Sequence, residues 1–175
     1  MKKLVFILLL NWTACILAQQ NTVELTYKVK LLEWEVDEVL QDIYKRSREK
    51  VKSMDFVLLG SKDKSFFYKK QALINEADTG VDAALAIIET KGNYYTDFSK
   101  KIVLEDKPAY GERFVIQHPI INNEWEMTKE SKKIGKYRCF KATTTYVVNN
   151  GKRFEFPVIA WYAPEINLPF GPKNY

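Results

Sequence analysis

Apolar and polar residues alternate most regularly in the segment that follows residue 22. Every second position is apolar, at Val23, Leu25, Tyr27, Val29 and Leu31, and polar or charged residues fill the positions between them. Successive side chains of a β-strand point to opposite faces, so a period of two is typical of a strand with one buried face. The pattern predicts a half-buried strand over residues 23–31.

The spacing of apolar residues changes to that of a helix after residue 35. Val36, Val39, Leu40, Ile43, Val51 and Met54 fall near helical spacing, and charged residues occupy many of the other positions. This spacing predicts an amphipathic helix over residues 36–52. The segment 81–88 has apolar residues at positions 81, 84, 85 and 88, which favours a helix, but a run this short also fits a strand.

The rest of the chain consists of β-prone runs separated by turn residues. The short runs are 56–59, 65–68, 94–98, 101–104, 113–118 and 124–128. Two longer runs, 137–148 and 153–162, are joined by Asn149-Asn150-Gly151, whose residues tolerate the positive φ of a tight hairpin turn. Pro157 has no N–H to donate, so the last strand should have an edge or a bulge at that point. The sequence therefore predicts a mainly β or α+β domain, a curved antiparallel sheet with one or two helices packed against it.

Residues 1–18 have the three parts of a secretory signal peptide. Two lysines follow Met1, residues 4–10 are an unbroken apolar run, and Ala18 supplies a small residue at the cleavage point. The apolar run is too short to cross a bilayer as a helix, which takes about 20 apolar residues. We therefore expect an exported protein of the periplasm or outer membrane, or a secreted one. We expect its mature chain to begin at Gln19 and to have no transmembrane span.

The two cysteines have different expected roles. Cys15 would carry a lipid if the chain were a lipoprotein, but Trp12 stands three positions before it, where a branched aliphatic residue is expected. Cys139 alone remains after cleavage, so no intrachain disulfide is possible. Since Cys139 lies in the middle of a predicted strand, we expect it to be a small buried hydrophobic residue rather than a reactive thiol.

Length and charge indicate an ordinary single domain. Residues 19–175 are enough for one domain with its own core. Cleavage removes two lysines and no acidic residue, which lowers the formal net charge from +5 to +3. That charge is too small for the basic field of a nucleic-acid-binding protein, so we expect no nucleic-acid partner.

The C-terminal third resembles a known family. The resemblance lies in Ile134-Gly135-Lys136-Tyr137-Arg138-Cys139, Lys141-Ala142-Thr143, Trp161-Tyr162-Ala163-Pro164-Glu165-Ile166 and Phe170-Gly171-Pro172, with an earlier block at 56–60 and 65–67. In this order and spacing the segments resemble the GLPGLI family of secreted bacterial envelope proteins. The resemblance implies export and a β-rich domain, and it supplies no cofactor and no catalytic residues.

The same resemblance leads to an expectation about the C-terminus. The motif for which the family is named should come directly after Tyr175, so we expect the domain 19–175 to be C-terminally truncated. A missing apolar segment would leave a strand edge or an apolar face uncovered. We expect residues 19–175 alone to be aggregation-prone or only marginally stable.

Residues that could support catalysis are sparse. His118 is the only histidine, and Pro119 ends its strand, so we expect it to be a surface or packing residue rather than a general base or a metal ligand. Glu124 and Glu126 flank Trp125, and the two acids of a glycosidase flank the bond that it cleaves. The simpler expectation is that Trp125 and Met127 point into the core and that both glutamates face water. The sequence thus predicts a non-enzyme that has neither a cofactor nor a metal site.

Two groups of residues are candidates for binding. Trp161 and Tyr162 are adjacent, so both faces of the last strand carry a large ring. The ring on the solvent-facing side should be shielded from water by a helix, a ligand or a partner. Trp125 is a third candidate of this kind. The cations Lys45, Arg46, Arg48, Lys50 and Lys52 crowd one stretch of the predicted helix. They form either a solvated helix face or a contact with anionic lipid.

These observations favour a non-enzymatic binding module of the cell envelope, whose partner is a lipid, another hydrophobic ligand or a segment of an envelope protein. An accessory role in the structure or assembly of an outer-membrane complex is the alternative. A hydrolase ranks third, because the chain offers few residues for one.

Overall fold

The structure, a computed structural model, describes residues 22–33, 37–71, 79–90, 92–121 and 124–173. The predicted signal peptide 1–18, the cleavage point before Gln19, Cys15 and Val36 lie outside these residues. The predicted β or α+β class is confirmed: the described chain has nine strands and two α-helices. Among the described residues, no helix is long and apolar enough to cross a membrane.

The strands form two antiparallel sheets, a division that the sequence pattern did not predict. The larger sheet contains β1 (Val23–Lys28), β2 (Asp55–Gly60), β3 (Lys64–Lys69), β4 (Asn93–Asp97), β5 (Ile102–Ala109) and β6 (Glu112–Pro119). The smaller sheet contains β7 (Glu126–Ile134), β8 (Tyr137–Asn149) and β9 (Arg153–Tyr162). The helices are α1 (Glu38–Lys52) and α2 (Thr79–Ile87), and a short 3-10 turn, Pro164–Ile166, follows β9.

The larger sheet is a meander in which each strand pairs with the next one along the chain. One face of this sheet carries Phe56, Leu58 and Phe67, which are buried against Val51 of α1 and Ala84 of α2. Phe56 and Phe67 stack with their ring centroids 5.8 Å apart. The period of two that predicted β1 therefore buries its apolar face against this core. The segment 81–88, which was ambiguous in sequence, belongs mostly to α2.

Helix α1 is only half packed. It begins after Asp37, whose side chain accepts a hydrogen bond from the Val39 N–H at 3.3 Å, the usual way to satisfy a free donor at a helix start. Its C-terminal half buries Ser47 and Val51. Its N-terminal half extends past the core, so Leu40 and Val39 are exposed, Val39 to 83%. The predicted amphipathic spacing is right, but the sheet covers only part of the stripe.

The smaller sheet is much less buried than the larger one. Cys139 and Ala142 are its only buried apolar residues in the described chain, so the expectation of a buried Cys139 is confirmed. The predicted hairpin is also confirmed, since Asn149 pairs with Arg153. Pro157 lies on β9, which is an edge strand as its missing N–H predicted.

A segment after β9 connects the smaller sheet back to the larger one. We call residues 163–173 the C-terminal strap. A Cβ atom on Gly60 of β2 would lie 3.2 Å from the Leu168 Cδ1 atom, so Leu168 sits directly over that glycine. The Phe170 ring lies 4.9 Å from the Phe98 ring and packs on the core. The strap therefore joins the two sheets through apolar contacts.

Candidate functional site

Trp161 and Tyr162 find cover within the chain. Tyr162 pairs with Phe140 across β8 and β9, and the two ring centroids lie 6.1 Å apart. The Lys132 Nζ atom lies 3.8 Å from the centroid of the Trp161 ring, a cation–π contact. Both aromatic residues are half-buried. The cover that the sequence required is thus supplied in large part by neighbours on the same sheet.

Trp125 lies apart from those rings, in the residues before β7. The strand begins at Glu126, two residues later than the predicted start at 124. Trp125 is half-buried, and both flanking glutamates are exposed, as expected. The expectation that Met127 points into the core is wrong, because Met127 is 60% exposed. Eight of the nine residues of this strand are exposed, so its alternation does not produce a buried face.

The cations of α1 do not form a single surface. Each residue turns a helix by about 100°, which puts Lys45, Arg48 and Lys52 on one side and Arg46 and Lys50 on nearly the opposite side. The acidic residues Glu38, Asp42 and Glu49 lie between the two groups. Arg48 is also 3.2 Å from Glu33, and Lys52 is 2.6 Å from Glu49. The predicted contact with anionic lipid would therefore meet a surface of mixed charge.

His118 belongs to a polar network at the edge of the core. Its Nε2 atom lies 3.2 Å from Oε2 of Glu105, and the hydroxyl of Tyr94 donates to Oε1 of the same carboxylate at 3.0 Å. Burial, with the Glu105 charge as the second cause, raises the pKa of Tyr94 well above its ordinary value. Glu105 thus contacts two polar side chains, Tyr94 and His118, at the edge of the core. Within the described chain, no three His, Cys, Asp or Glu residues cluster as a metal site requires.

Strand β6 is exposed on both faces and along one edge. It pairs with β5 on one side and ends the sheet on the other. Phe114, Val115 and Ile116 at its centre are 42%, 67% and 40% exposed. Charge is confined to its first two residues and proline to its last, so the middle of the strand has none of the features that usually protect a sheet edge. Sequence reasoning predicted this strand but not its place at the edge.

The turn before β6 shows which of its backbone groups are free. Tyr110 and Gly111 both have positive φ, 54° and 80°, which is the type I′ turn of a two-residue hairpin. The flanking pair, Ala109 and Glu112, is then hydrogen-bonded, and alternate pairs along the ladder are not.

The groups that point away from β5 follow from this alternation. The N–H and C=O groups of Arg113, Val115 and Gln117 face the open edge. Pro108 and Pro119 both fall in pairs without ladder bonds, so their missing N–H groups cost nothing there. The open edge of β6 therefore offers three backbone donors and three acceptors.

A basic cleft of ≈ 350 Å³ lies at the turn between β7 and β8. Its lining residues come from both strands, from the turn and from the strap: Ser131, Lys132, Lys133, Lys136, Arg138 and Glu165. The turn is Gly135-Lys136, in which Gly135 has φ 59°, a value that glycine adopts without strain. Sequence reasoning missed this cleft, although a Gly-X pair between two β-prone runs is a hairpin signal.

Residues 125–157 are similar to a family described as "Protein of unknown function (Porph_ging)". This segment spans β7, β8 and the first half of β9, and it includes all the cleft residues except Glu165. None of the curated proteins and none of the solved structures matches the chain. The resemblance seen in sequence is thus supported as far as a family of unknown function.

Proposed function

We propose that this chain is a non-enzymatic binding module of the cell envelope, and that β6 receives an extended segment of a partner protein. The observation that carries the proposal is the open edge of β6, with exposed apolar side chains on both faces. Export rests on the signal peptide predicted for residues 1–18, and the GLPGLI resemblance remains a prediction that agrees with it.

The free backbone groups favour a polypeptide over a lipid. A lipid chain could cover Phe114 and Val115, but it has no N–H or C=O groups to pair with those of the strand. A peptide laid along the edge would satisfy these groups and would place alternate side chains against the two apolar faces, as in β-strand addition. Trp161 and Tyr162 are less suited to bind a partner, because Lys132 and Phe140 already cover them.

A site-specific photocrosslinker tests the proposal. Benzoylphenylalanine replaces Val115 in the cells that make the protein, and mass spectrometry maps the adduct after irradiation. We expect adducts confined to one short, continuous segment of one protein. Gln117→Pro should abolish them, since it removes an N–H that faces the partner while leaving the bonds to β5 in place.

The same label at Thr26 of β1 is the matched control, because β1 is the other edge of the same sheet. Equal labelling from both positions would show nonspecific contact and contradict the proposal. An adduct with lipid would favour the hydrophobic-ligand alternative, and an adduct with β6 of a second copy would favour self-association. A role in assembling an outer-membrane complex would need the captured segment to belong to such a complex.

A further inference from the structure

The basic cleft between the β7–β8 turn and the C-terminal strap is a site distinct from β6. We infer that it binds a phosphate-class oxyanion, with Lys133 and Arg138 as the central contacts and Ser131 as a hydroxyl donor. The inference rests on four features: the cross-strand register, the aromatic support of the cations, their lack of carboxylate partners and the size of the cleft.

The register places two like charges directly opposite each other. Lys133 pairs with Arg138 across β7 and β8, and the turn between them is too short to let the register slip. Like charges at directly opposed positions destabilise an antiparallel pair. A bound anion between them would convert this repulsion into two charge-assisted hydrogen bonds.

Aromatic rings lie near three of the four cleft cations, which are Lys132, Lys133, Lys136 and Arg138, and a ring does not neutralise a cation. Lys132 lies over Trp161, Lys136 lies 5.1 Å from the Tyr137 ring centroid, and the guanidinium carbon of Arg138 lies 5.5 Å from that of Phe140. The Arg138 Nη2 atom is also 3.4 Å from the Ser131 hydroxyl oxygen. A ring limits the motion of a cation but leaves its N–H groups able to donate, so less ordering is required when an anion binds.

None of the four cations lies within 4.0 Å of a carboxylate oxygen in the described chain, whereas cations elsewhere do form such pairs. Glu165 lines the cleft but makes no ion pair with them. The volume of ≈ 350 Å³ is near the lower end of the usual range for small-molecule sites. The cleft therefore suits a small oxyanion such as a diphosphate. The negative charge of Glu165 should weaken the binding of that anion.

Calorimetric titration of the full chain with sodium pyrophosphate tests the inference. The double variant Lys133→Glu with Arg138→Glu should weaken binding at least about tenfold. The control is Lys45→Glu with Arg46→Glu on α1, which changes the net charge by the same amount and should leave binding within about twofold of the parent. Equal losses in both variants would show that binding follows net charge alone and would overturn the inference.

A single neutral substitution tests the same inference in case the double charge reversal prevents folding. Lys133→Gln should weaken pyrophosphate binding and, without ligand, raise the melting temperature, because it removes the repulsion with Arg138. A residue with a purely structural role would lower the melting temperature. Weaker binding with a lower melting temperature would therefore contradict the inference.

Vesicles distinguish a free anion from a lipid headgroup. Cleft-dependent binding of pyrophosphate but not of phosphatidylglycerol vesicles would identify a soluble ligand. Binding to those vesicles, lost in the cleft variant and absent with phosphatidylcholine, would identify a headgroup phosphate. No cleft-dependent binding in either arm would overturn the inference, whatever the outcome at β6.

Discussion

Helix α1 and the β7–β8 turn are both rich in lysine and arginine, but they use their cations differently. The helix has the denser run in sequence, and its geometry separates that run into two groups with acidic residues between them. The turn has fewer cations, and two strands and a tight reversal bring them into one cleft. Charge density along a chain is therefore a poor guide to charge density in space.

The immediate neighbours of the cations differ as well. On α1, Arg48 and Lys52 have carboxylate partners, Glu33 and Glu49. In the cleft, Lys132 and Arg138 have aromatic rings beneath them. A carboxylate neutralises a cation, whereas a ring orients it and leaves its charge available. The second arrangement agrees with the binding site that we infer for the cleft.

The largest expected effect is the loss of stability when the Trp161 ring, which lies beneath Lys132, is removed. Trp161→Ala should lower the free energy of unfolding by about 3 kcal/mol, near the lower end of the range for loss of a large aromatic side chain, because Trp161 is only half-buried. Leu40→Ala on the exposed half of α1 should change stability by no more than about 0.5 kcal/mol. Urea unfolding of both variants measures the difference. A loss below that of Leu40→Ala would mean that the Trp161 ring contributes no packing.

Neutralising one cation should change the free energy of unfolding in opposite directions in the two regions. Lys133→Gln should raise the free energy of unfolding by about 0.5 kcal/mol, because it relieves a cross-strand repulsion. Arg48→Gln should lower it by a similar amount or less, because it breaks an ion pair in which the Glu33 carboxylate is largely exposed to water. Thermal unfolding in low salt gives both values. If both variants changed the free energy of unfolding in the same direction, the distinction between the two regions would be wrong.

Glu165 provides a smaller and more specific test of the cleft. Glu165→Gln removes the one carboxylate that lines it, so pyrophosphate should bind about two- to threefold more tightly. Glu38→Gln on α1 is the control for a change of one unit in net charge. If the two variants behaved alike in calorimetry, Glu165 would have no special relation to the bound anion.

The smallest effect concerns the pH dependence of α1. The Lys52 hydrogen bond, followed by its charge, lowers the pKa of Glu49 below its ordinary value. A lowered pKa adds stability that is present above the unfolded-state pKa, about 4.3, and is lost as the pH falls through the folded-state value. Lys52→Gln should therefore slightly reduce the loss of stability on acidification below pH 5. Circular dichroism melts across this range would show parallel curves if the pair contributed nothing.

Local patterns predicted the elements well, because period and turn chemistry are local properties. The alternation from Val23, the helical spacing around Val51 and the Asn-Asn-Gly turn all correspond to observed elements. The division into two sheets could not be predicted, since it depends on β6 and β7 not pairing. The exposure of Met127 has the same origin: alternation indicates two faces but does not say whether anything covers either one.

The cleft was partly within reach of the sequence. Gly135-Lys136 fixes a two-residue turn, and counting outward from it places Lys133 opposite Arg138. The irregularity between Met127 and Ser131 in β7 and the arrival of Glu165 from the strap depend on distant contacts. Sequence reasoning concentrated instead on the conspicuous cations of α1, where the intervening acidic residues argued against a single charged surface.

The C-terminal strap has a consequence for the order of folding. The strands of the larger sheet pair with their neighbours in sequence, so all of its pairings lie within residues 23–119. Leu168 and Gly60 are far apart in sequence, so we expect the strap to close after the strand pairings of the larger sheet, because its closure orders a longer loop. Because the strap also carries Glu165, the basic cleft is completed only by this late step. We therefore expect the larger sheet to form before the cleft is complete.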